Sequence, residues 1–126
     1  MTLEFKDYNI AVVDDNTISA NLLVRQLNMI MGINAKYYSG SIDFLDKGGL
    51  NKSYNCIITD KDMPGMDGID LAKLVKEYDC DTSVLMVTGR FGKEELQGVS
   101  SGILNGALSK PYRICDIVDL LNQIIK

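Results

Sequence analysis

Short runs of apolar residues alternate along this chain with longer stretches in which apolar positions return every three to four residues. The short runs are Asn9 to Val13, Ile33 to Tyr38, Tyr54 to Thr59, Ser83 to Thr88 and Ile103 to Leu108. Each is followed by a segment of helical period, and this alternation predicts a parallel sheet wrapped by helices. The last helix is the clearest, with Ile114, Ile117, Val118, Leu121, Ile124 and Ile125 on one face, a stripe that reads as core packing. The first, from about Thr17 to Met31, sets Leu23, Leu27 and Ile30 on one face, and Gly32 suits its carboxyl-terminal stop. Connections of a few residues predict a compact single domain over residues 1–126. No repeat, linker or low-complexity segment interrupts it.

Composition narrows the partners. A hydrophobic content of 46% over 126 residues suits one globular domain with a modest core and leaves no room for a second. The formal net charge of −4 and the absence of a basic run argue against a nucleic-acid or anionic-membrane surface. Three cysteines without histidine or a CxxC pair are poor material for a zinc site or a disulfide framework. Cys56, inside the run Cys56-Ile57-Ile58, reads as a small buried hydrophobe. Reduced, cytoplasmic protein is the expectation. The polar start, Met1 to Asp7, has no signal-peptide pattern, and no run approaches the ~20 apolar residues needed to span a bilayer.

The candidate chemistry lies where the strands end, because open doubly wound sheets bind ligands beyond the carboxyl ends of their strands. The first run ends in Asp14-Asp15, the third in Asp60 with Asp62 just after, the fourth in Thr88-Gly89, and the fifth is followed by Lys110-Pro111. Converging carboxylates repel unless a cation joins them, and an oxygen-only ligand set suits magnesium better than zinc or copper. Phosphoryl transfer needs positioning and charge neutralisation above all. Asp60, ending the central and most apolar run, is the best acceptor. Thr88 and Lys110 offer a hydroxyl and a point charge for phosphate oxygens, and Gly89 keeps the approach open. Singly, Asp14-Asp15 reads equally well as a solvated strand end or helix cap, and Thr88 and Lys110 as ordinary strand-end and surface residues. Their placement at the ends of four strands is what singles them out.

These residues carry a resemblance. Val12-Val13-Asp14-Asp15-Asn16, Asp60-Lys61-Asp62-Met63-Pro64-Gly65-Met66-Asp67-Gly68, Val87-Thr88-Gly89 and Lys110-Pro111 resemble the receiver domain of response regulators and hybrid histidine kinases, over essentially the whole chain. The resemblance implies an α/β fold, a doubly wound five-stranded parallel sheet of flavodoxin-like order 2-1-3-4-5 with helices on both faces. It implies a phosphorylation-dependent switch in which Asp60 accepts a phosphoryl group from a phosphohistidine donor. Asp14, Asp15, Asp60 and the main-chain carbonyl of Asp62 would hold Mg2+, and Thr88 and Lys110 would contact the phosphoryl group. The implied partner is a histidine kinase or a histidine phosphotransfer protein. Such domains catalyse their own phosphorylation and slow dephosphorylation and are not turnover enzymes. In the family, phosphoryl lifetime depends on the positions two beyond the acceptor and two beyond the threonine, here Asp62 and Arg90, opposite charges expected to face each other.

Two departures stand out. Gly89 follows Thr88 where the family often has alanine, a tolerable change. Ala107 stands where the family usually has an aromatic residue that turns inward on activation. Alanine has no rotamer to switch, so a weak response is expected on the face of the fourth helix, fifth strand and fifth helix, with Tyr112 as a possible substitute. Recognition is expected instead at the site rim and first helix, where Ile18 and Leu22, spaced i and i+4, would meet a histidine-bearing helical bundle unless they are buried against the sheet. The Asp-Asp-Asn opening resembles hybrid-kinase receivers and favours a phosphorelay. The rival readings are a magnesium-dependent phosphohydrolase of the haloacid-dehalogenase type, built on Asp60-Lys61-Asp62, and a receiver-like binding module without phosphorylation. Against the first, that family carries its acidic metal pair after the lysine, whereas Asp14-Asp15 comes first here.

Overall fold

The computed structural model describes residues 7–124. The polar amino terminus and Ile125 of the predicted stripe therefore fall, wholly or largely, outside the described residues. The strands are β1 (Asn9–Val13), β2 (Asn34–Tyr38), β3 (Cys56–Asp60), β4 (Ser83–Thr88) and β5 (Gly106–Ser109). The helices are α1 (Thr17–Met31), α2 (Ser41–Asp46), α3 (Gly68–Tyr78), α4 (Lys93–Ser101) and α5 (Ile114–Ile124), with a short 3-10 turn at Gly49–Lys52. All strand pairs are parallel, and the sheet order is β2-β1-β3-β4-β5. Parallel strands share a direction, so every carboxyl end reaches the same edge of the sheet.

Both faces of the sheet are covered, which is why the strands read as unbroken apolar runs. Ile10, Val12, Cys56, Ile58, Leu85 and Val87 point to one side, against Ala20, Leu23 and Leu27 of α1 and Ile117 and Leu121 of α5. Ala11, Val13, Ile57, Val84 and Met86 point to the other, against Phe44 of α2 and Leu71, Ala72 and Val75 of α3. Cys56 is buried as anticipated, and burial pushes its thiol up to about 12, so it is chemically quiet.

α1 begins at Asn16, whose side chain accepts from the Ser19 N–H at 3.1 Å, and ends at Gly32 with φ 66°, where glycine carries no penalty. Its buried positions are Ala20, Leu23 and Leu27. Ile30 does not join them. At 63% exposure it lies outside the stripe that the apolar spacing predicts.

Three strands begin later than the apolar runs suggest, β2 by the single residue Ile33 and β3 and β5 by more. Tyr54 precedes β3 and is buried, its hydroxyl 2.6 Å from that of Tyr38. Ile103 and Leu104 precede β5, with Leu104 packed on Gly98 of α4 where any side chain at 98 would collide with it. The Leu104 N–H donates to Gly98 and that of Asn105 to Val84. Ile103 and Leu104 are apolar because they cover α4, not because they pair.

Candidate functional site

The carboxyl edge of the sheet is built by its neighbours. The Asp14 N–H donates to the Tyr38 carbonyl at 3.1 Å, which continues the β1–β2 ladder one residue and carries the side chain past the strand end. Its carboxylate accepts from the Asn16 N–H at 2.9 Å, so the residue that caps α1 also orients Asp14. The Asp60 carbonyl accepts from the Thr59 hydroxyl at 2.8 Å, and the first turn of α3 lies directly on it. A Cβ at Gly68 would run into that carbonyl, which explains glycine at this position. Asp67 starts the helix by accepting from the Asp70 N–H at 2.9 Å, and the Lys110 N–H donates to the Thr88 carbonyl at 2.8 Å.

The sheet brings together the acidic residues that the sequence singles out. Asp14, Asp15 and Asp60 each offer a carboxylate oxygen within 4.8 Å of the others. The Lys110 ammonium lies 3.3 Å from Asp60 and 3.4 Å from Asp14. Asp14 and Asp60 are largely buried, with side-chain exposures of 6% and 13%. Burial and the charge of Asp14 raise the Asp60 pKa, against the opposing pull of Lys110 and of the Lys61 main-chain N–H. Burial works against the Lys110 charge as well, yet the two carboxylates outweigh it and hold the ammonium above its ordinary value. One cation thus faces three carboxylates. The donor set is all oxygen and carries excess negative charge, which fits a hard divalent ion such as magnesium.

Thr88 is buried at the end of β4, where its hydroxyl accepts from the Arg90 N–H at 3.1 Å. Arg90 and Asp62 meet at 3.4 Å, exposed. Ile18 and Leu22 are exposed at 84% and 57%, so neither is buried against the sheet. Leu22 also lines a groove of about 680 Å³ with Ser19, Gln26, Pro111, Tyr112 and Ile114. Ala107 packs on the α2–α3 side of the sheet and Tyr112 on the α1–α5 side, so the tyrosine covers the opposite core and does not stand in for the missing aromatic.

One feature of the site escaped the sequence. The Lys61 ammonium binds Glu94 at 3.0 Å and Glu95 at 3.1 Å, and Glu95 is fully buried. Hydrogen bonds donated to both glutamates raise the Lys61 pKa. Burial works most strongly against the Glu95 charge, but the Lys61 bond and charge together with the main-chain N–H groups of Glu95 and Gly92 outweigh it and hold its carboxyl below the usual range. A Glu-Glu pair in the first turn of a helix ordinarily reads as a solvated complement to the helix dipole. No local pattern marks one of the two as buried.

The family model for the response regulator receiver domain matches residues 10–122. The chain belongs to this family. Receiver domains are phosphorylation-dependent signalling switches of two-component systems, served by histidine kinases or phosphotransfer proteins. The chain is 32% identical over 120 residues to the sensor histidine kinase RcsC of Escherichia coli, covering 94% of this chain and 12% of the kinase. It is 28% identical over 127 residues to chemotaxis protein CheY-3 of Vibrio cholerae, covering 96% of this chain and 94% of that protein. It therefore spans about an eighth of the sensor kinases it matches and nearly all of the chemotaxis protein. A receiver domain from Clostridium thermocellum superposes with a TM-score of 0.85 at 25% identity, over 94% of each chain. Response regulator TrrA of Thermotoga maritima, solved in complex with Mg(2+)-BeF, gives 0.80 at 20% identity over 93% of this receiver and 98% of TrrA. The receiver fold and its order 2-1-3-4-5 are thus as the resemblance implies, and membership replaces the dehalogenase-type reading.

Proposed function

We propose that residues 1–126 form one receiver domain that accepts a phosphoryl group on Asp60 from the phosphohistidine of a histidine kinase or histidine phosphotransfer protein, and hands the signal on in a phosphorelay. The observation that carries this reading is the convergence of Asp14, Asp15 and Asp60 within 4.8 Å beside a single ammonium. An acidic pocket this crowded is poised for a cation and then for an anionic substrate.

Asp14, Asp15 and Asp60, with the main-chain carbonyl of Asp62, are the residues that would hold Mg2+. Bound there, the ion would offset the charge of the carboxylates and of the incoming phosphoryl oxygens. A carboxylate oxygen of Asp60 attacks phosphorus, the P–N bond to the donor imidazole breaks, and the imidazole keeps the electron pair. Lys110, already held between Asp60 and Asp14, moves its charge to a phosphoryl oxygen. Thr88 turns its hydroxyl from the Arg90 amide to another. Reversal to a second histidine, or attack by water with cleavage of the same P–O bond, restores the carboxylate.

Among the described residues no helix is long and apolar enough to cross a membrane, and the phosphohistidine donors of such domains work in the cytoplasm, which is the proposed location. Incubation with acetyl phosphate or beryllofluoride tests the reading. Wild type is modified, Asp60→Asn is not, and EDTA prevents modification. Equal labelling of Asp60→Asn, or indifference to EDTA, would show the assignment to be wrong.

A further inference from the structure

Lys61 spans two parts of the molecule. It directly follows Asp60, the last residue of β3, and its main-chain N–H favours the charged form of that carboxylate, while its ammonium binds Glu94 at 3.0 Å and Glu95 at 3.1 Å in the first turn of α4. The Lys61 carbonyl accepts from the Gly68 N–H at 2.7 Å, so the residue is fixed at the start of α3 as well. Glu95 in turn accepts from the Gly92 N–H at 3.3 Å and thereby holds the turn that opens α4.

The burial of this pair gives it mechanical character. Glu95 has no exposed side-chain surface and Lys61 only 13%. Water reaches Lys61 but not Glu95, and parting the two would strand a buried carboxylate, so Glu95 stays with Lys61 when it moves. Glu94, at 61% exposure, has no such constraint and follows Lys61 through solvent.

We propose that Lys61 is a positioning residue through which α4 reads the chemical state of Asp60. The inference rests on Asp60 being the phosphoryl acceptor. Phosphorylation turns the Asp60 carboxylate into an acyl phosphate, which removes the carboxylate charge that the adjoining Lys61 N–H favours and puts a bulky anion beside it. The Lys61 main chain then shifts, and Glu95, unable to let go, carries the first turn of α4 with it. Ala107 supplies no rotamer to transmit the change from β5, so coupling enters α4 at its amino end. The weak response expected of this face is thereby revised at α4, which displays Phe91, Leu96 and Val99 at 42%, 60% and 42% exposure on and just before the helix.

The test is amide chemical-shift mapping with Mg2+ and beryllofluoride on wild type, Glu95→Gln and the double variant Lys61→Met/Glu95→Leu. Glu95→Gln keeps the volume and an acceptor for Gly92. The double variant replaces the pair with apolar groups and keeps the question open to test if an unpaired Lys61 impairs folding. In wild type, Thr88, Lys110 and residues 93–101 shift together. In both variants Thr88 and Lys110 still shift while the α4 response is lost. An α4 response as large in the variants as in wild type overturns the proposal, as does a wild type in which Thr88 and Lys110 shift and α4 does not. No shift at Thr88 and Lys110 in wild type removes the acceptor reading, and the proposal with it.

Discussion

The ammonium of Lys110 lies between Asp60, at 3.3 Å, and Asp14, at 3.4 Å, and is the cation that allows these partly buried carboxylates to coexist. Its charge is insufficient for all three acids, since burial and Asp14 still raise the Asp60 pKa. A folded-state pKa above the unfolded one makes stability greatest below the ordinary carboxylate value of 3.8 and lower as pH rises through the raised value. At neutral pH, Asp60 therefore opposes folding. In EDTA at pH 7, Asp60→Asn should melt above wild type, and a lower melting temperature would contradict this account of the pocket.

Magnesium should reverse that order. A ligand that binds only the folded state at 100 times its dissociation constant adds about 2.7 kcal/mol of stability, enough to raise the thermal midpoint by several degrees. Wild type should show this shift, Asp14→Asn and Asp15→Asn should lose most of it, and Asp62→Ala should retain it if residue 62 contributes only its main-chain carbonyl. Thermal scans across a magnesium series decide each case.

The Lys61–Glu95 pair sets the acid and alkaline limits of α4. Glu95 has a folded pKa below its ordinary 4.5, so its contribution is present above that value and is lost as pH falls through the folded pKa. Lys61 has a folded pKa above its ordinary 10.5, so its contribution is present below that value and is lost as pH rises through the folded pKa. The pair is thus intact across the neutral range. Glu95→Ala should destabilise by about 3 kcal/mol, the low end for breaking a buried pair because Lys61 keeps some solvent. Chemical denaturation at pH 7 and pH 4 should show a smaller difference between variant and wild type at the lower pH.

Asp62 and Arg90 meet as their charges suggest, but at 3.4 Å and with exposures of 56% and 82%. A contact this open contributes at most about 1 kcal/mol to stability. Its expected effect is kinetic, because a guanidinium holding Asp62 keeps that carboxylate from orienting an attacking water. Arg90→Ala should speed decay of the phosphoryl group several-fold and Asp62→Asn should slow it. The double variant should differ from the product of the single effects, whereas strict additivity would leave the pair without a kinetic role.

What the sequence conveyed depended on how local the signal was. β1, β4 and α1 match the sequence reading because the strand ends and the Gly32 stop are written in neighbouring residues. The acidic pocket was legible because polar residues interrupt apolar runs where parallel strands must end together. Ile30 and Leu104 were misjudged for a shared reason: apolar character shows that a residue has something to cover, not what it covers. Lys61 and Glu95 are 34 positions apart, and only the packing of α4 on the β3–α3 turn makes them partners.

The last prediction concerns the donor. Ile18 and Leu22 stand one turn apart on α1 at 84% and 57% exposure, and Leu22 lines the groove that runs to Lys110, Pro111 and Tyr112. Apolar side chains this open at the rim of the pocket offer a helical bundle an anchor next to Asp60, and contacts at such anchors carry over 1 kcal/mol each. Ile18→Ala and Leu22→Ala should each slow transfer from a histidine phosphotransfer protein by roughly tenfold, the equivalent of about 1.4 kcal/mol. Phosphorylation by acetyl phosphate, which has no surface to dock, should not change. A small donor thus separates docking from chemistry: loss with both donors would place these residues in the chemistry of the pocket, and loss with neither would move the partner to another face.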